Sequence, residues 1–268
     1  MKNMYDSMNL FDLPHTLYVL ISGLLTAVGL ILTAKYCRTQ KQKDVVLKAS
    51  ALVTVALHYS NLWVDFFSTG TATLGQNQLL AVYPCNVMMW LLLVAAFIKK
   101  RNSAFYTVLA ESVFWVGTIC GVVGILFNAN YSNNPNLLDY GIFQGLISHT
   151  TMVFGCIYML VGKYVRIRVF NVFSAACCLL LFVVDGAIVN GLFALCDIPP
   201  VNAMFLQEPP FPSLPWLNPL LMGVVILGVF FGLLALYEWK CFPPEERWYK
   251  KYKRYFHTLR KSVTKDTK

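Results

Sequence analysis

Leu17 to Ala34 reads LYVLISGLLTAVGLILTA, eighteen consecutive residues without a charge. A helix of about 20 apolar residues, rising about 1.5 Å per residue, crosses the roughly 30 Å of hydrocarbon in a bilayer. Phe105 to Leu126 and Leu220 to Leu236 approach the same pattern. Working outward, apolar windows bounded by charge or turn residues predict seven helices, over 15–34, 49–67, 79–98, 105–127, 142–162, 169–193 and 216–238. The 268 residues are 57% hydrophobic and 13% charged, against roughly 45–50% and about 25% in a soluble domain, which excludes an ordinary soluble enzyme. The expected fold is all-α, a polytopic membrane bundle of seven transmembrane helices over 1–238, with a basic amphipathic tail over 239–268.

Charge orients these spans. Lys35, Arg38, Lys41, Lys43 and Lys48 lie between the first two; Lys99, Lys100 and Arg101 follow the third; Lys163, Arg166 and Arg168 follow the fifth. Ten more basic residues follow the seventh, so 21 of the 22 fall on one side. The positive-inside rule makes that side cytoplasmic, with the N-terminus outside and the C-terminus inside. The net charge of +9 is therefore an orientation and membrane-surface signal, and nucleic acid is not an expected partner. The first apolar run is long and lacks a small-residue cleavage site, so it is expected to stay as the first span. The protein is expected in the plasma membrane if bacterial and in an endomembrane if eukaryotic.

In the tail, Trp248, Tyr252, Tyr255, Phe256 and Leu259 recur at helical spacing among Lys250, Lys251, Lys253, Arg254 and Arg260. That pattern suits a helix lying on anionic inner-leaflet lipids. The eight cysteines form no CxxC pair and no metal-ligand spacing with His, so neither a disulfide framework nor a metal site is expected. No cofactor is called for. Cys37 and Cys241 sit at span ends as interfacial thiols, while Cys120, Cys156, Cys177 and Cys178 read as small packing residues.

Ionisable and amide side chains inside spans are costly and usually face the bundle interior. His58, Asn61 and Asp65 lie along one face of span two; Cys85 and Asn86 follow Pro84 in span three. Span four carries Glu111, span five His149, and span six Asp185 and Asn190; His15 opens span one. Counted from the expected outer ends of their helices, Cys85 and His149 share a depth on the order of 10 Å. At one level, a thiol and an imidazole can act as nucleophile and base toward an acyl carbonyl. A buried thiol and a histidine that hydrogen-bonds between helices fit the same spacing. Asn61, Asn86, Asn190 and Asn202 are candidates to orient His149 or to donate to an oxyanion, or they bond neighbouring helices; His15 reads either as a substrate-binding or orienting residue or as an interfacial one. The proline-rich stretch Ala194 to Pro215 reads either as a lid over the outer pocket or as an interfacial loop.

Phe11 to Leu17 (FDLPHTL), Tyr83 to Val87 (YPCNV), Ser148 to Thr150, and Asn190 followed by Asn202 to Leu206 (NAMFL) and Pro209 resemble, in that order, motifs of the YwaF-like integral membrane proteins, a family that includes animal transmembrane protein 164. The resemblance implies a lipid acyltransferase with Cys85 as nucleophile and His149 as base, distantly related to membrane hydrolases that use a Thr and His pair. Thr150 stands where the family often has Gly, and Ala203 where it often has Tyr. A site near the outer boundary is poorly placed for acyl-CoA, which is charged, bulky and cytosolic, so a membrane phospholipid is the expected acyl donor. The expected chemistry is acyl transfer between lipids, or lipid ester hydrolysis, through an acyl-Cys85 intermediate.

Other seven-span classes fit less well. Span seven has no Lys for a retinal Schiff base, and Lys99, Lys100 and Arg101 stand where a receptor would carry Asp-Arg-Tyr. The alternative is a proton-coupled small-solute transporter using His58, Asp65, Glu111 and Asp185, although no inverted repeat is visible.

Overall fold

A computed structural model describes residues 11–70, 78, 80–196, 199, 201–208 and 219–251. All regular structure among them is helical. Helix α1 spans Leu13–Tyr36 and α2 Gln40–Thr69; α3 is Pro84–Phe97. Helix α4, Ala104–Ser112, runs through a π-helical turn at Val113–Gly117 into α5, Thr118–Leu126. The short α6 is Ala129–Asn133, followed by α7, Tyr140–Val161, α8, Asn171–Leu195, and α9, Pro219–Cys241.

Local chemistry sets these boundaries. Asp12 caps α1 by accepting the His15 N–H at 2.9 Å, with Pro14 in the first turn. Thr39 and Gln42 form a capping box that starts α2 nine residues before its apolar window. Gly70, at φ +74°, ends it in the left-handed conformation that glycine tolerates. Asp139 accepts the Gly141 and Ile142 N–H groups at the start of α7.

Among the described residues, six helices, counting Ala104–Ser132 as one span, are long and apolar enough to cross a bilayer. The third expected span differs. Instead of 79–98 it is the 14-residue Pro84–Phe97, about 21 Å long and shorter than a full crossing. Pro84 is the cause: its ring disfavours helix in the preceding residue, and Tyr83 is extended at φ −113° and ψ 152°. Cys85 therefore lies at a helix start and not six residues into a helix.

Helix α7 is the hub, packing along α2 on one side and α5 on the other, with α1 against it at the edge. The core joins Leu47 and Ala51 of α2, Met88, Met89 and Leu92 of α3, Phe114, and Met152, Cys156 and Met159 of α7. Helices α1 and α9 leave Leu20, Leu24, Ile31, Val224, Val229 and Leu233 exposed. This outward apolar surface matches hydrocarbon.

The basic connections meet at one end. Asp44 accepts from Arg101 and from the Tyr164 hydroxyl, both at 2.7 Å, and from Gln40 at 2.8 Å. Burial first, then the bond to the Asp44 carboxylate and its charge, push the Tyr164 phenol far up, so it remains a donor. Buried Glu238 accepts the Val169 and Trp248 N–H groups at 2.8 Å each, tying the start of the tail to the loop before α8. Trp248 rests edge-on against Phe231. The rest of the expected tail helix, including Tyr252, Tyr255, Phe256 and Leu259, lies outside the described residues, as do Pro200, Pro209, Pro210, Pro212 and Pro215.

Candidate functional site

Pro84 opens α3 and Cys85 follows it. The first N–H groups of a helix have no partner within it. Cys85 is half-buried, with Sγ 4.0 Å from Asn86 Oδ1. All eight cysteines are free thiols.

On α7, His149 Nδ1 lies 2.7 Å from the Gly145 carbonyl. A carbonyl only accepts, so Nδ1 carries the proton and Nε2 presents a lone pair. Nε2 is buried and has no hydrogen-bond partner among the described residues. The ring lies over Gly124 of α5, where an added Cβ would overlap Cδ2 and Nε2. Gly121 and Gly117 receive α7 in the same way, at Val153 and Cys156. Sequence reading passed over this stripe, although glycines at i, i+4 and i+7 are a known signal for close helix packing in membranes. No hydrogen bond joins Cys85 to His149.

The structure instead joins Cys85, Asn86 and His58. Asn86 is buried, accepts the Tyr83 N–H at 3.2 Å, and places Nδ2 2.9 Å from His58 Nε2. Asn61 is half-buried near Gly141 at the start of α7. Asn190 and Asn202 fold the loop after α8. Asn190 exchanges two bonds with the Ala203 backbone, at 3.0 and 3.3 Å, and Asn202 bonds the backbone of Gln207 and Glu208. The loop then crosses the approach to α3: Met204 N–H donates to the Val82 carbonyl at 2.9 Å, and Phe205 faces Tyr83 at 6.0 Å between centroids. Met204 and Phe205 sit at φ +53° and +58°, a region unfavourable for bulky side chains.

His15 is fully buried and both ring nitrogens are engaged. Nδ1 accepts the Phe11 N–H at 3.2 Å, and Nε2 donates to the Ile125 carbonyl at 2.9 Å. It stacks on Tyr131, whose hydroxyl donates to Asp12. The other intramembrane acids are spread through the bundle: Glu111 accepts from Ser174, Asp65 is exposed on α2, and Asp185 Oδ2 is buried in α8 without a partner among the described residues. Among the described residues, no three His, Cys, Asp or Glu side chains gather as a metal site. A groove of about 460 Å³ opens between α1, α2 and α7, lined by Leu25, Val46, Val53, Thr150, Thr151 and Phe154. It does not include Cys85 or His149. Thr150 accepts from Tyr18 at 2.8 Å, an interhelical bond that glycine there would not make.

This arrangement defines an all-helical integral membrane protein with a cysteine at a helix start and a tautomer-fixed histidine on a neighbouring helix. The chain belongs to the TMEM164 family, whose model matches residues 10–238, in keeping with the resemblance carried by its motifs. No curated protein and no solved structure matches it.

Proposed function

We propose that the protein is a lipid acyltransferase or transacylase working through an acyl-Cys85 intermediate, with hydrolysis as the outcome when water replaces the acceptor. The observation that carries this reading is the buried lone pair of His149 Nε2, unpartnered among the described residues and fixed in its tautomer by Gly145, in a bundle that sets Cys85 at the start of α3. In the first half-reaction, Sγ adds to an ester carbonyl of a donor lipid and the thiol proton passes to Nε2. The carbonyl reforms as the ester C–O bond breaks, and the leaving alkoxide takes the proton from Nε2. In the second, an acceptor hydroxyl gives its proton to Nε2 and attacks the thioester; the S–C bond breaks and the proton returns to sulfur. The two side chains must approach one another as substrate binds, since no bond joins them without it.

The basic end is read as cytoplasmic, which puts the site toward the outer leaflet and makes a phospholipid the donor and a lipid with a free hydroxyl the acceptor, with the tail against anionic inner-leaflet lipids. The test is labelling of purified protein with a fluorophosphonate or thiol-reactive lipid probe. Loss in both Cys85→Ala and His149→Ala, with folding intact, is the expected result, and undiminished labelling in both overturns the reading. Proton-coupled transport is the second reading, favoured by Asp185 Oδ2, which is buried with no partner among the described residues. It requires that Asp185→Asn abolish proton-driven solute uptake in proteoliposomes while Cys85→Ala leaves uptake unchanged.

A further inference from the structure

The Asn86 carboxamide is held at both ends beside Cys85. Its two ends are alike in shape and opposite in chemistry, since the oxygen accepts and the NH₂ donates. The Tyr83 N–H requires the oxygen, so the nitrogen faces His58. His58 must then offer its Nε2 lone pair and carry its proton on Nδ1. Only one of the two Nδ2 hydrogens is used in that bond. The other belongs to a buried amide one residue from the nucleophile.

We propose that His58 is a positioning residue for acyl transfer: by accepting one N–H of Asn86 it fixes the amide so that the second N–H serves the oxyanion formed when Cys85 attacks an ester. The inference rests on the acyl-Cys85 reading above. As the S–C bond forms, the carbonyl π pair moves onto oxygen and the thiol proton moves to His149 Nε2. A donor already oriented in a water-poor site stabilises that oxygen without reorganising. Without an acceptor at the His58 position, the Nδ2 end of the amide loses its tether and the donor its direction.

The test separates acylation from simple thiol reactivity. Acylation of Cys85 by an activated fatty-acyl ester passes through an oxyanion, whereas alkylation by iodoacetamide does not. Both rates are read on the Cys85 peptide by mass spectrometry of the full-length protein in nanodiscs. His58→Ala is expected to slow acylation by roughly 10- to 100-fold and to leave alkylation within about twofold of wild type. His58→Gln, whose Oε1 can accept at the position of Nε2, is expected to restore most of the acylation rate. Wild-type acylation in His58→Ala overturns the proposal. Equal loss of both rates without rescue by Gln also overturns it, since His58 would then only support the fold. Acylation of the protein that persists in Cys85→Ala defeats the underlying acyl-cysteine reading, whatever His58 does.

Discussion

His149 and His15 show how differently two histidines serve in one bundle. His149 keeps a buried nitrogen without a partner among the described residues, at a cost of about 1–3 kcal/mol for such a group; in the proposed function that lone pair is the base. His149→Ala is expected to slow formation of acyl-Cys85 by roughly 10²- to 10⁴-fold, the usual contribution of a general base, measured by time-resolved labelling of detergent-purified protein. His15 spends both nitrogens on bonds from the N-terminal segment to α5. His15→Ala leaves the Phe11 N–H and the Ile125 carbonyl without those partners and is expected to cost about 1–3 kcal/mol, read as a lowered thermal midpoint. The sequence presents both as histidines in or beside spans. The direction of each ring nitrogen follows from residues more than a hundred positions away or one helical turn back, and no spacing rule supplies it.

At the scale of elements, the contact of α5 with α7 controls where the imidazole lies. The π-helical turn at Val113–Gly117 takes one extra residue per hydrogen-bonded turn, so it sets which face of α5 meets α7. Gly117, Gly121 and Gly124 lie on that face. Gly124→Ala is expected to displace the His149 ring, lowering stability by about 1–3 kcal/mol as overpacking does and reducing acylation of Cys85. Gly23→Ala, where the new methyl meets nothing within 4 Å, is the control and should match wild type in acylation and lose no stability, since alanine favours a helix over glycine. The loop after α8 makes a second such contact. Asn190→Ala removes both of its bonds to Ala203, worth about 1 kcal/mol each, and should raise limited proteolysis between residues 196 and 208 before global unfolding. The composition of the loop left a lid and an interfacial loop open, and where it meets the approach to α3 follows from the Met204 to Val82 bond and the Phe205 to Tyr83 contact.

For the whole molecule, the polar bonds at the basic end tie successive connections together. Asp44→Asn weakens the bond to Arg101, a pair whose side chains are 22% and 27% exposed. Partial solvent screening limits the expected loss to about 1 kcal/mol. Sidedness is tested with a membrane-impermeant maleimide on intact cells and on inverted vesicles. Cys196 and Cys241 are both exposed; Cys196 is expected to react from outside and Cys241 from the cytoplasmic face. The reverse pattern would invert the orientation, and with it the argument for an outer-leaflet acyl donor.

Hydrophobic run length and charge placement by themselves determined that this chain is a helical membrane protein and roughly where its long helices run. Both are local quantities, because a span must satisfy its own backbone and match the hydrocarbon around it. Motif order likewise carried the family resemblance, from FDLPHTL through YPCNV to NAMFL. Tertiary structure decided the rest. It left Cys85 and His149 without a mutual bond and joined Asn86 to His58 across α3 and α2. Those outcomes depend on which helix faces meet and on how each amide and imidazole divides its donors and acceptors among neighbours distant in sequence.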